Sequence, residues 1–162
     1  MDDPIAEAHR QWVAHGWADA ADGMAAVTSL VRAHQIVVRR IDAALKPLDL
    51  TFARYELLQL LSFTRTGALP MAKVGARLQV HPTSVTSAVD RLQAQGFVER
   101  EPDPSDRRSV LARITPAGRR VAARATTILN RDVFEQPGLN PEQLEQLMSA
   151  CHALRAHAGD LV

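Results

Sequence analysis

The sequence contains one cysteine among its 162 residues, Cys151. A single thiol excludes an internal disulfide and any cysteine-rich metal site. No apolar run reaches the roughly 18 residues that a transmembrane helix requires. The first residues, Met1–Pro4, are acidic and have no apolar core, unlike a signal peptide. We therefore expect a cytoplasmic protein that makes no membrane contact.

Short motifs of common enzymes are missing as well. The eight glycines form no G-x-S-x-G motif, no P-loop and no dinucleotide-binding motif. The six histidines include no i, i+4 pair that would place two metal ligands on one helical face. We therefore expect neither an enzyme, nor a cofactor, nor a metal site.

Charge is unevenly distributed, although the whole chain carries a net charge of only +1. The net charge is −2 over residues 1–63, +5 over residues 64–120 and −2 over residues 121–162. A basic middle segment indicates contact with an anion. Chance clustering on solvated surfaces is the alternative, and charge alone does not separate the two.

Two segments place apolar residues at alternating intervals of three and four, as along one stripe of a helix. The stripes are Met24, Val27, Val31, His34, Val38, Ile41 and Leu45, and then Leu144, Leu147, Cys151, Leu154, Ala158 and Leu161. Pro47 ends the first helix, while Asn140, Pro141 and Gln143 mark the start of the second. Because both helices are long for a small chain, we expect them to form a homodimer interface. Covering the core of their own chain is the alternative.

The middle of the chain predicts helix, turn, helix, hairpin and helix. A short helix carries Met71, Val74 and Leu78 inward, and a second one runs from Thr83, with Pro82 at its first position, to about Gln95. Gly96 is expected to end it with a positive φ. Residues 97–100 and 109–114 alternate like strands around a polar segment, and Thr115 begins a helix to about Leu129.

This order is that of a winged helix-turn-helix, so we expect a mainly α fold with a small β-hairpin wing. Residues 1–50 are expected to form N-terminal dimerisation helices. The winged helix-turn-helix would occupy residues 51–115, and C-terminal dimerisation helices would occupy residues 116–162.

The second helix of the pair has a polar face of unusual composition. After Pro82, this face holds Thr83, Ser84, Thr86, Ser87 and Arg91. Ordinary solvent-exposed helix positions favour Lys, Glu and Gln, which form helices better than Ser and Thr. Short hydroxyl side chains near a helix N-terminus can bond phosphates or base edges, so the face predicts insertion into the major groove of DNA.

The hairpin tip adds the cluster Asp106, Arg107 and Arg108. A wing arginine suits the minor groove, and a carboxylate, Asp106 or Asp90, would orient it through a bidentate pair. An ordinary solvated turn is the alternative. Further phosphate contacts are predicted for Arg54, Lys73, Arg77 and Arg113.

The segment from Leu78 to Gly118 resembles the MarR family of bacterial transcriptional regulators. The resemblance rests on the order and spacing of the hydroxyl-rich helix, Gly96-Phe97-Val98, the wing with its D-x-R sequence at Asp106–Arg108, and Ile114-Thr115-Pro116-Ala117-Gly118. It implies a dimer with intertwined terminal helices and a recognition helix at Pro82–Gln95. It also implies that Arg108 enters the minor groove and that the protein acts as a repressor. Because a two-fold dimer would place two recognition helices in successive major grooves, we expect a pseudo-palindromic operator.

Many members of that family release DNA when a small aromatic molecule binds near the dimer helices. Trp17, His34, Phe52 and Tyr55 are candidates to line such a pocket, since pockets are mostly apolar with a few polar groups. The alternative for His34 is a buried, hydrogen-bonded position among the valines of its stripe. The alternative function is a winged helix that contacts only proteins and binds no specific DNA. Such a module would favour exposed apolar residues on its second helix, and the hydroxyl face and wing arginines argue against it.

Overall fold

The computed structural model describes residues 3–160, so the predictions that involve Met1, Asp2 and Leu161 lie outside the described part. The elements in chain order are α1 (Pro4–Ala14), α2 (Ala18–Leu45), a 3-10 turn (Lys46–Leu48), α3 (Phe52–Phe63), β1 (Ala68–Pro70), α4 (Met71–Leu78), α5 (Pro82–Ala94), β2 (Val98–Asp103), β3 (Asp106–Ile114), α6 (Pro116–Leu129), a π-helical turn (Asn130–Phe134) and α7 (Pro141–His157). No helix within residues 3–160 is long and apolar enough to cross a membrane. The chain divides into two compact units, with the boundary between Ala43 and Ala44. The functional division at residues 50 and 115 stays a prediction.

Unit 1 contains α1 and most of α2. Asp3 caps α1 by accepting a hydrogen bond from the Ile5 amide at 3.0 Å. The two helices are joined by a hydrogen bond that His9 Nε2 donates to Asp22 Oδ1 at 2.8 Å. Large apolar side chains lie exposed along the unit: Val13, Trp17, Val27, Leu30, Val31, Ile36, Val37 and Val38. Much of the predicted apolar stripe of α2 therefore lies at the surface of the single chain.

Unit 2 has a core built from its helices and its sheet. The largest fully buried side chains from α3 onward are Leu57, Leu58, Leu61, Val74, Val89, Leu92, Val98 and Leu129. Val85 of α5 is buried beside them, so the predicted inner face of that helix, Val85, Val89 and Leu92, is confirmed. Gly96 has a φ of 75°, as expected of the residue that ends this helix.

The sheet has the strand order β1-β3-β2, with both pairs antiparallel. The hairpin strands are longer than predicted, because most of the polar segment between residues 100 and 109 is strand. Asp103 closes the two-residue tip, since its carboxylate accepts hydrogen bonds from the Ser105 amide at 2.8 Å and hydroxyl at 2.6 Å. Such a local side-chain bond fixes a turn without any apolar alternation. β1 was not predicted, because three residues carry no readable alternation.

The junction between the wing and α6 depends on a threonine and a glycine that stand three residues apart, Thr115 and Gly118. Thr115 Oγ1 accepts a hydrogen bond from the Gly118 amide at 3.0 Å and donates one to the Gly96 carbonyl at 2.8 Å. A Cβ on Gly118 would overlap the carbonyl oxygen of Phe97. Only glycine permits that approach. The predicted helix start at Thr115 is confirmed.

The last helix begins as predicted and buries none of its described side chains. Asn140 Oδ1 accepts from the Gln143 amide at 2.9 Å, and Gln143 Oε1 accepts from the Asn140 amide at 3.0 Å. This reciprocal capping box satisfies two amides that the helix itself leaves unpaired. Leu147, Met148 and Leu154 are exposed on α7.

Candidate nucleic-acid interface

A short turn over residues 79–81 connects α4 to α5. Gln79 adopts a left-handed conformation with φ of 54° and ends α4. The Val80 amide then bonds the Gly75 carbonyl at 3.1 Å. Pro82 occupies the first helical position, as predicted, and the His81 ring accepts a hydrogen bond from the Thr83 amide at 3.2 Å. Histidine is not among the residues favoured at helix starts, so sequence reasoning had no signal for this cap.

The outer face of α5 is polar, exposed and available to a ligand. Thr83, Ser84, Thr86, Ser87 and Arg91 are all exposed. Thr86 Oγ1 donates to the Pro82 carbonyl at 3.1 Å, which leaves its lone pairs free. Within residues 3–160, the hydroxyls of Thr83, Ser84 and Ser87 and the guanidinium of Arg91 have no hydrogen-bond partner.

A groove separates α5 from the start of α3. It encloses about 490 Å³ and is lined by Thr51, Ala53, Arg54, Thr83, Ser84, Ser87, Ala88 and Arg91. Thr51 caps α3, and Arg54 Nε donates to Thr51 Oγ1 at 3.3 Å. Arg54 Nη1 also donates to Gln95 Oε1 at 3.0 Å. Arg54 is therefore fixed at the groove edge with donors to spare, and its predicted phosphate contact stays a prediction.

A second groove separates α5 from the wing. It encloses about 530 Å³ and is lined by Met71, Ala72, Thr86, Arg100, Asp106, Arg108, Ser109 and Val110. Arg108 of the predicted wing cluster thus faces the same space as Thr86 of the recognition helix. The side chains of Arg107 and Arg108 are exposed and make no hydrogen bond to any described residue.

Within residues 3–160, neither Asp106 nor Asp90, the two predicted carboxylate partners, pairs with the guanidinium of a wing arginine. Asp106 Oδ1 accepts a hydrogen bond from the backbone amide of Arg108 at 2.9 Å. This carboxylate therefore fixes the backbone at the start of β3 and does not orient the Arg108 guanidinium. Asp90 pairs instead with Arg100, at 2.7 Å. Hydrogen bonds from Ser105 also hold the pKa of Asp103 below its usual value, so the wing tip keeps an ionised carboxylate.

Arg113 also departs from its predicted role. Its guanidinium donates to both Glu101 oxygens, at 2.9 and 2.5 Å, and to the Thr66 carbonyl at 2.6 Å. The hydrogen bonds between them lower the pKa of Glu101 and raise that of Arg113. Arg113 therefore braces the sheet, and its guanidinium is occupied by these bonds and not held out for the predicted phosphate contact. Lys73 and Arg77 lie exposed on α4 without partners among the described residues, and their phosphate contacts stay predictions.

The four candidate pocket residues fall in different units. In unit 2, Phe52 and Tyr55 stack with ring centroids 6.0 Å apart, and the buried Tyr55 shares a hydrogen bond with Thr126 at 3.1 Å. In unit 1, Trp17 is 54% exposed and His34 is exposed. The effector pocket stays a prediction.

Comparison with known proteins agrees with this architecture. The MarR family model matches residues 48–109. The HTH-type transcriptional regulator YkoM of Bacillus subtilis is 32% identical over 112 residues, which cover 68% of this chain and 70% of YkoM. Sco5413, a MarR family transcriptional regulator from Streptomyces coelicolor, is 46% identical with a TM-score of 0.77, covering 86% of this chain and 97% of its own.

A further structural relative was solved with DNA. Sco3205, a MarR family transcriptional regulator from Streptomyces coelicolor in complex with DNA, is 25% identical with a TM-score of 0.73, covering 83% of this chain and 86% of its own. The predicted winged helix-turn-helix is confirmed by the structure and by these relatives. This chain belongs to the MarR family of transcriptional regulators, whose members are not enzymes.

Proposed function

We propose that this chain is a homodimeric repressor that binds a pseudo-palindromic DNA operator. The exposed face of α5 carries the proposal, because it offers free hydroxyls and a free guanidinium between two grooves. Thr83, Ser84, Thr86 and Ser87 would meet base edges and phosphates in the major groove. Arg108 would enter the adjacent minor groove, where the negative potential favours a cation.

Dimerisation is supported by the apolar residues exposed on α2 and α7. Exposed apolar patches of this kind mark protein interfaces. A two-fold dimer places two recognition helices in successive major grooves, so we expect half-sites about 10 base pairs apart. Occupying promoter DNA in this way would exclude RNA polymerase, which is the sense in which we propose repression.

Release by a small aromatic effector is part of the same proposal. Operator binding requires a dimer whose two recognition helices have the right spacing. An effector that binds more tightly to a dimer with another spacing shifts the population toward that dimer, and operator affinity falls by the ratio of the effector's affinities for the two forms. The exposed Trp17 indole offers an aromatic surface for such a ligand. A series of benzoates and phenols, titrated into the preformed operator complex, tests release directly.

The first experiment is a fluorescence-anisotropy titration against DNA from upstream of the chain's own gene. Random DNA of equal length is the control, and both are measured at two salt concentrations, since phosphate-only binding weakens steeply with salt. A clear excess affinity for the upstream DNA that survives the higher salt supports the proposal. Equal, salt-sensitive binding to both DNAs moves the search to genome-wide site selection. Failure of that selection to find a preferred site favours the protein-contact alternative.

A further inference from the structure

Arg100 on β2 joins the wing to the recognition helix. Its Nη2 lies 2.7 Å from Asp90 Oδ1, and its Nη1 donates to Gln93 Oε1 at 2.8 Å. Both partners belong to the C-terminal half of α5. The Arg100 side chain is 28% exposed, so much of its stem is packed between strand and helix. A planar guanidinium fork that holds two acceptors fixes direction as well as distance.

No other side-chain hydrogen bond among residues 3–160 joins α5 to the two hairpin strands. Arg100 also lines the groove that Thr86 and Arg108 share. It therefore lies where a shift between helix and wing would change the separation of the two groups that we assign to DNA. Gln95, the residue that follows α5, donates a hydrogen bond to the Asp49 carbonyl at 2.9 Å.

We propose that Arg100 is a positioning residue, which holds the wing so that Arg108 reaches the minor groove while α5 occupies the major groove. The inference rests on the proposed function. Two donors of Arg100 are committed to α5, and its charge is balanced by Asp90. Its contribution to DNA binding is therefore made through Arg108 and not through a phosphate of its own.

Two substitutions separate positioning from charge. Arg100→Met keeps the aliphatic stem and removes the fork, while Arg100→Lys keeps the charge and cannot hold both acceptors in one plane. We expect either variant to lower operator affinity about tenfold. Losing one hydrogen bond between charged groups, here the bond from Arg100 to Asp90, has an effect of that size. A phosphate-binding Arg100 would instead keep its affinity as lysine, and Arg100→Met would reduce the salt slope by about one.

The decisive measurement is the coupling between Arg100 and Arg108. If Arg100 acts through Arg108, then Arg108→Ala weakens operator binding strongly in the wild-type background and little in the Arg100→Met background. Additive losses in the double variant overturn the proposal, because they mean that the two arginines act independently. Arg131→Met is the matched control. It makes the same substitution at an exposed arginine whose ion pair is with its neighbour in sequence, Asp132, at 2.6 Å.

Hydrogen exchange of the free protein supplies a readout that needs no DNA. We expect Arg100→Met to accelerate amide exchange in β2, in β3 and in the second half of α5, with α6 and α7 unchanged. Unchanged exchange in the wing overturns the positioning role whatever the DNA results are. Faster wing exchange in a protein that prefers no DNA sequence would leave Arg100 as the wing anchor and refute the proposed function alone.

Discussion

The recognition helix α5 and the last helix α7 start alike and differ in what they expose. Each has proline at its first position after a capping side chain, His81 or Asn140. α5 buries Val85, Val89 and Leu92 and turns hydroxyls outward. α7 buries none of its described residues and leaves Leu147 and Leu154 exposed, the latter by 55%.

The difference indicates two kinds of partner. Free hydroxyls and cations gain from phosphates and base edges, whereas exposed leucines gain from being covered by apolar surface. Damage to α7 is therefore expected to remove both dimerisation and tight DNA binding. Damage to the face of α5 is expected to remove DNA binding alone.

The largest effect is expected from charging the apolar stripe of α7. Leu147→Asp with Leu154→Asp should yield a monomer, because two carboxylates would be buried in the interface. Operator affinity should then fall by more than about 100-fold, since the second half-site no longer binds as part of the same molecule. Analytical ultracentrifugation and anisotropy measure the two losses. Ser149→Asp with Ala156→Asp, on the opposite side of α7, is the control, and a dimer that survives the leucine changes refutes this interface.

Arg108→Ala should weaken operator binding at least about tenfold, or 1.4 kcal/mol, and leave the dimer intact. Arg107→Ala is the internal comparison, because successive strand residues point to opposite faces and only Arg108 lines the groove beside α5. Arg107→Ala should therefore weaken operator binding less than Arg108→Ala does. If anisotropy shows the same operator affinity for Arg108→Ala as for the wild type, the wing does not contribute to the DNA interface.

Arg91→Ala should weaken binding by about 1 kcal/mol, equally on operator and random DNA. The expectation follows from its place in the groove that Arg54 also lines, where two cations suit a phosphate. The salt slope should fall by about one. A loss confined to operator DNA would show that Arg91 reads a base.

The smallest effect is expected at Glu56 of α3, beside a small cavity between α3 and α5. Glu56 is exposed overall, but it lines a small cavity with Ser84 and Ala88, and partial desolvation there raises the pKa of its carboxyl. A carboxyl with a raised native pKa destabilises the fold once pH exceeds its unfolded value, and the penalty is complete above its native value. Glu56→Gln should therefore raise the urea midpoint slightly at pH 7 and leave it unchanged at pH 3. A lower midpoint at pH 7 would mean that the carboxylate makes a favourable contact.

Local signals made much of this fold predictable. Pro82 at a helix start, the capping box of Asn140 and Gln143, and Gly96 at a helix end each depend on a few neighbouring residues. The inner face of α5 follows from helical periodicity. The polar outer face needed no tertiary information either, because the inner face was already assigned.

The pairing of charges could not be predicted in the same way. Arg113 binds Glu101 because hairpin register brings them together, and that register depends on a tip closed by the carboxylate of Asp103. Asp90 meets Arg100 because a strand folds back along α5. Without those distances, Arg113 looked available to phosphate and Asp90 looked available to the wing tip.

The edge-to-face pair of Trp12 and Trp17, with ring centroids 5.3 Å apart, has a spectroscopic consequence. These are the two tryptophans of the chain, and both lie in unit 1. Intrinsic emission excited at the red edge therefore reports on α1 and the start of α2, while the winged helix contributes no indole. A change in that emission when DNA is added would be an optical signal that binding at α5 reaches the N-terminal helices, without any label.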